Sequence, residues 1–93
     1  MPKAKEVLMF TNSKNPQMLA MRARLQTLQS VHLFPMRVYE MVPVNAPFYS
    51  KYDVRSAPVL VLLDENEKEV VRVFGSQSTT ALQVLFKNWK LIK

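Results

Sequence analysis

The stretch that decides the fold is "KYDVRSAPVLVLLDENEKEVVRVFG", residues 51–75. Its run "PVLVLLD" (58–64) is almost wholly aliphatic, which is typical of a strand buried on both faces. A polar turn follows, in which Asn66 is the residue expected to adopt the left-handed conformation. "KEVVRVFG" (68–75) then returns as an antiparallel partner and stops at Gly75. The stretch therefore predicts a β-hairpin built on a buried strand.

Three elements are predicted in the first half of the chain. "EVLMF" (6–10) is a nearly continuous apolar run and predicts another covered strand. Asn15 and Pro16 then open a helix, because asparagine caps helices and proline suits their first turn. The helix ends near Ser30, and helical spacing gives it one apolar face: Met18, Met21, Leu25 and Leu28. The alternating "MRVYEMV" (36–42) predicts the next strand.

Two more helices complete the chain. "NAPFYSKYDV" (45–54) predicts a short helix, and Ser78 can cap a longer one near the end. The apolar stripe of this last helix comprises Leu82, Leu85, Phe86, Trp89 and Ile92. The order is then β-α-β-α-β-β-α, and the strands of the opening β-α-β unit should be parallel. We therefore predict one α/β domain over residues 1–93, with a four-stranded mixed sheet flanked by three helices.

Composition excludes several classes of function. The chain has 93 residues and no cysteine, so it has no disulfide framework, no thiolate nucleophile and no cysteine metal site. No apolar run reaches the roughly 18 residues of a membrane span. The start, "MPKAKEVLMF", has no long apolar core of a secretory signal, so a cytoplasmic protein without membrane attachment is expected. His32 is the single histidine and has no clustered second ligand, so no metal is expected.

Charge is unevenly distributed along the chain. The net charge is +6, and four of the seven acidic residues lie in "DENEKE" (64–69). The remainder is basic, which is compatible with an anionic partner or with an ordinary lysine-rich surface. The basic residues that would serve a nucleic acid or another anionic surface are Lys14, Arg22, Arg24, Arg37, Lys51, Arg55 and those of the tail "FKNWKLIK".

The element order, together with residues 51–75, resembles the thioredoxin-like superfamily. The specific feature is "VRSAP" (54–58) leading into an apolar strand. In that family the proline at this place is cis, and its loop lies beside the redox motif. The resemblance therefore implies a cis Ala57–Pro58 peptide bond and a neighbouring helix entrance at "TNSKNPQM" (11–18).

The same resemblance shows which chemistry is missing. Setting "VLMFTNSKNPQM" against the family's first strand and redox turn places Asn15 and Met18 on the two cysteines of Cys-x-x-Cys. Met9 stands where many thioredoxins bury a carboxylate. Disulfide exchange requires a thiolate that attacks sulfur, which neither an amide nor a thioether supplies. The resemblance thus implies a redox-inactive member with no catalytic residues and no cofactor.

Two functions remain open from the sequence. The first is a non-catalytic module that binds a protein partner or belongs to a larger assembly, through the groove that the family uses for extended polypeptide. That groove would comprise Lys14, Asn15, Pro16, Gln17, Met18, Arg55, Ala57 and Pro58. Asn15 and Met18 also have structural interpretations, as a helix cap and a core residue, and the strand at 68–74 is a competing interface. The second function is nucleic-acid or anionic-surface binding by the basic residues above.

Overall fold

The computed structural model describes residues 3–12 and 14–93. The secondary structure confirms the predicted order, with a short 3₁₀ helix at Pro43–Asn45 added before the second α-helix. The elements are β1 (Glu6–Thr11), α1 (Pro16–His32), β2 (Met36–Glu40), α2 (Ala46–Lys51), β3 (Val59–Leu63), β4 (Glu69–Phe74) and α3 (Thr79–Asn88). No helix in the described ranges has the length and apolarity to cross a bilayer.

The sheet is four-stranded and mixed, as predicted. Its strand order is β2-β1-β3-β4. β1 and β2 are parallel, whereas β3 is antiparallel to both of its neighbours. The two parallel strands are joined through α1, and the two later strands form the predicted hairpin.

Both faces of the sheet are covered, and this explains the continuous apolar runs in β1 and β3. Val7 and Met9 of β1 join a core cluster with residues of α1 and α3. Leu8 and Phe10, on the opposite face, join a second cluster that includes Tyr49 of α2. Successive strand residues point to opposite faces, so a strand covered on both sides needs apolar residues at every position.

The predicted caps hold the two long helices. The Asn15 side chain accepts a hydrogen bond from the backbone N–H of Gln17 at 2.9 Å. The Ser78 hydroxyl accepts one from Ala81 at 3.1 Å. α1 runs to His32, slightly beyond the expected end, and stops where Leu33 adopts a left-handed φ of 56°.

Three local predictions are wrong. The last helix ends at Asn88, so Trp89 and Ile92, which were predicted to continue its apolar stripe, lie beyond it. The left-handed residue of the β3–β4 turn is Glu67, with φ 61°, rather than Asn66. The Asp64 carboxylate accepts hydrogen bonds from the backbone N–H groups of Asn66 and Lys68, and this turn places the left-handed residue one position later. The second strand also ends at Glu40, so residues 41 and 42 lie in a loop rather than in the sheet.

Candidate functional site

Four chain segments converge at one end of the sheet, where β1, β2 and β4 finish and β3 begins. We call this end of the strands the Pro58 edge. Phe10 pairs with Val59, so the chain that leaves β1 runs beside Pro58. Val59 also pairs with Phe74, and the backbone N–H of Gly75 donates to the Pro58 carbonyl at 2.9 Å. The ends of β1 and β4 and the start of β3 therefore meet here. The end of β2 joins them, because Glu40 pairs with Thr11 at the end of β1.

The loop before β3 has an open backbone. The Ala57–Pro58 peptide bond is cis, as the resemblance implies. In residues 3–12 and 14–93, the backbone N–H and C=O groups of Arg55, Ser56 and Ala57 have no hydrogen-bond partner. Arg55 is exposed and Ala57 is half-buried, so these groups lie near the surface. Three consecutive residues thus present unused donors and acceptors beside Pro58.

The helix entrance provides the other side of the predicted groove. Lys14, Asn15, Pro16 and Gln17 are all exposed. Met18 is only 9% exposed, and its sulfur lies 3.1 Å from the backbone nitrogen of Asn12, which donates to it. Met18 is therefore a core residue that packs beneath the start of α1. Its inclusion among the residues that would contact a partner is corrected accordingly.

Two open cavities flank the edge, and three of the eight predicted groove residues line one or the other. One cavity, of about 420 Å³, is lined by Pro16, Gln17, Ala20, Arg24 and Ser76. The other, of about 570 Å³, lies over α2, and its lining includes Met41, Val42, Tyr49, Val54 and Arg55. Ala57 and Pro58 line neither cavity. The sequence prediction therefore named parts of both walls but missed the larger cavity.

Exposed apolar residues around α2 were also missed. Met41, Val42, Val44 and Phe48 all expose a substantial part of their side chains. The prediction assigned residues 36–42 to one alternating strand, so the exposure of Met41 and Val42 in a loop was not expected. The available signal was Pro43 within the apolar run "MVPV", because a proline there favours a loop over a central strand.

Tyr49 anchors α2 to the Pro58 edge. Its hydroxyl lies within hydrogen-bond distance of two backbone carbonyls, that of Thr11 at 3.3 Å and that of Tyr39 at 3.1 Å. Burial raises the pKa of Tyr49, the nearby charge of Glu40 raises it further, and the hydrogen bond to Thr11 opposes both. The group therefore stays a neutral donor at physiological pH.

Five of the basic residues proposed for an anionic partner make contacts within the chain. Arg37 bonds to Glu6 at 2.7 Å, and this hydrogen bond raises the pKa of Arg37. Arg22 lies 3.7 Å from Glu40, and Arg55 lies 3.2 Å from Asp53. Other members of the set engage neutral groups: Arg24 bonds to the Gln77 carbonyl, and Lys51 lies over the Tyr52 ring. These five residues are therefore engaged by contacts within the chain, whereas Lys14 and the lysines of the tail form no ion pair in residues 3–12 and 14–93.

Solved structures of thioredoxins resemble the fold of this chain over most of its length. A mutant thioredoxin from Halobacterium salinarum NRC-1 has a TM-score of 0.78 and 25% identity, over 90% of this chain and 73% of its own. Thioredoxin f2 from Chlamydomonas reinhardtii has a TM-score of 0.83 and 15% identity, over 98% of this chain and 84% of its own. The Fasciola hepatica thioredoxin has a TM-score of 0.77 and 20% identity, over 94% of this chain and 83% of its own. The chain has a thioredoxin-like fold.

This thioredoxin-like chain differs from a thiol enzyme in its sequence. It contains no cysteine, so no Cys-x-x-Cys motif is present, and Asn15 and Met18 occupy the positions assigned to it. No protein-family model and no curated protein matches the chain. The structural likeness therefore identifies the thioredoxin-like fold, and the function has to be argued from the residues at the Pro58 edge.

We expect Tyr49→Phe to lower the free energy of unfolding by about 1 kcal/mol, because it removes the hydroxyl that bonds to the backbone of β1 and β2. Urea denaturation followed by circular dichroism measures this. Tyr52→Phe is the matched control, since the Tyr52 hydroxyl is buried without a partner in the described ranges. That variant should be at least as stable as the parent. A larger loss in Tyr52→Phe than in Tyr49→Phe would contradict the anchoring role.

Proposed function

We propose that the protein is a non-catalytic interaction module that binds an extended segment of a protein partner at the Pro58 edge. The observation that supports this most directly is the open backbone of residues 55–57. An extended peptide can satisfy such donors and acceptors by adding itself as a strand. This mode of binding needs no thiol, so it remains available to a chain without cysteine.

Side-chain recognition would come from the two flanking cavities. A bound strand directs successive side chains to opposite sides. One side faces the cavity at Pro16 and Gln17, and the other faces the cavity beside Met41 and Arg55. Methionine makes adaptable apolar contacts, so Met41 suits a partner residue of variable shape. Clustered apolar exposure of this kind is a common mark of an interaction surface.

Charge at the edge favours an acidic partner. Lys14, at the helix entrance, and Arg55, the first residue of the open backbone, are both exposed. Arg55 pairs with Asp53, but both side chains are largely in solvent, so this pair contributes little and can be exchanged for a partner carboxylate. Complementary charges of this kind accelerate association more than they tighten the complex.

The test uses peptides selected on the full chain from a random display library, with affinity measured by fluorescence anisotropy. We expect Ala57→Glu and Gln17→Glu each to weaken the selected complex by about 1–3 kcal/mol if the residue lies in the contact centre. Both side chains lie at or near the surface, so circular dichroism should show an intact fold. Val84→Glu, on the exposed side of α3, is the control and should bind like the parent.

A competing interface is the outer edge of β4. Val71→Lys alters that strand, and circular dichroism has to show an intact fold because Val71 also packs against the core cluster of α1 and α3. If Val71→Lys abolishes binding of the selected peptides while Ala57→Glu and Gln17→Glu bind normally, the proposed site is wrong and the edge strand takes its place.

A further inference from the structure

The layer formed by α1 and α3 contains no acidic residue of its own. The sequence has no Asp or Glu between residues 7 and 39, and none after Glu69. At the C-terminal end of α3 lies an open cavity of about 480 Å³. Its lining consists of Lys3, Lys87, Lys90, Leu91, Ile92 and Lys93. Four exposed lysines therefore line one concave surface, and none of the lining residues is acidic.

The described part of the chain offers these lysines no internal partner. None of the four forms an ion pair in residues 3–12 and 14–93. Lysines at a helix C-terminus often neutralise its last carbonyl groups. Here backbone N–H groups already bond to those carbonyls, since Leu85 accepts from Trp89, Phe86 from Leu91, and Lys87 from Lys90. Helix capping therefore leaves the cluster unexplained.

The backbone brings the cluster together and holds it in place. The N–H of Ala4 donates to the Trp89 carbonyl at 2.8 Å, which fixes Lys3 beside the end of α3. Lys90 has a φ of 60°, at the position after a helix where glycine is the usual residue. A lysine at this place carries backbone strain that glycine avoids. Lys90 thus lines the cavity from a backbone conformation that is unfavourable for lysine.

We propose that this cavity binds a group of linked phosphates, as in an oligophosphate or a nucleoside triphosphate. Lysine binds phosphate as a compact point charge with several donors. A concave site with four such charges complements an anion that concentrates several charges at one point. A nucleic-acid backbone instead spreads single charges along a strand. The lining has no aromatic residue on which a base could stack, so the phosphates carry the recognition.

The test is isothermal titration calorimetry of the full chain with sodium tripolyphosphate and, separately, with ATP, at about 0.15 M salt where remote surface charges are screened. We expect saturable binding of both. The double variant Lys87→Gln/Lys90→Gln should bind about tenfold or more weakly, because two charge-assisted contacts are lost. The matched control, Lys51→Gln/Lys68→Gln, removes the same charge elsewhere on the molecule and should bind like the parent.

Lys90→Gly separates ligand binding from folding. Glycine accepts the positive φ, so the melting temperature should stay the same or rise, while tripolyphosphate binding should weaken.

Equal affinity for tripolyphosphate and ATP assigns recognition to the phosphates alone, and tighter ATP binding through the same lysines assigns it to a nucleotide. The proposal is overturned by an absence of saturable binding, by equal losses in the control variant, or by sulfate competing equally at matched ionic strength. A duplex DNA that binds more tightly than tripolyphosphate through these lysines also overturns it.

Discussion

Insulin reduction by dithiothreitol is expected to proceed at the same rate with and without the purified protein. Catalysis of this reaction requires a thiolate that forms a mixed disulfide with its substrate. The chain has no cysteine, and the positions assigned to the redox motif are held by Asn15, which caps α1, and by Met18, which is buried. The expected effect is the complete absence of turnover.

The control for this experiment is a thioredoxin with an intact Cys-x-x-Cys motif, assayed at the same concentration. The double variant Asn15→Cys/Met18→Cys tests the cause, because a thiol at the start of a helix is favoured in its thiolate form. We expect this variant to accelerate insulin reduction above background, and more slowly than the control enzyme, since Met9 provides no carboxylate. Turnover by the unmodified chain would contradict the proposal of a redox-inactive protein.

Phe10→Ala is expected to lower the free energy of unfolding by about 3–5 kcal/mol. Phe10 is fully buried in β1, and its ring lies against three tyrosines: Tyr39 of β2, Tyr49 of α2 and Tyr52 just after α2. Removing the ring leaves a cavity that the surrounding aromatic side chains can fill only in part. Such a loss is a large fraction of the roughly 5–15 kcal/mol that stabilises a typical domain.

Urea denaturation measures this loss, and Phe74→Ala is the matched control. Phe74 is 64% exposed at the end of β4, so the same truncation there should change the free energy of unfolding by less than about 1 kcal/mol. The Phe10 variant should also bind the selected peptides more weakly, because Tyr49 loses part of its support. Equal destabilisation by the two truncations would contradict the assignment of Phe10 to the core.

Residue periodicity was sufficient for the fold. The apolar runs at 6–10 and 58–64 became β1 and β3 because a strand covered on both faces has no solvent-facing position. The four apolar positions predicted for α1 are its buried residues. Asn15 and Ser78 cap their helices as predicted, since capping depends on local geometry alone.

The candidate sites depended on contacts that are distant in the sequence, and these were predicted less well. Met18 was assigned both to the buried face of α1 and, through the resemblance, to the groove, and its exposure of 9% identifies it as a core residue. The lysine cavity joins residue 3 to residues 87–93 through one backbone hydrogen bond, which no local pattern encodes. The open backbone at 55–57 likewise appeared only when the hydrogen bonds of neighbouring segments were known.

The sheet keeps the two core clusters apart, and this separation has a consequence for how the protein can change. Mutations at distant sites without shared partners generally have additive effects on stability. A substitution in the α1/α3 layer and one in the α2 layer should therefore act independently, because strand residues that serve one cluster point away from the other. Sequence drift in the lysine-rich layer need not disturb the surface around α2. The two layers can therefore diverge separately on a shared sheet.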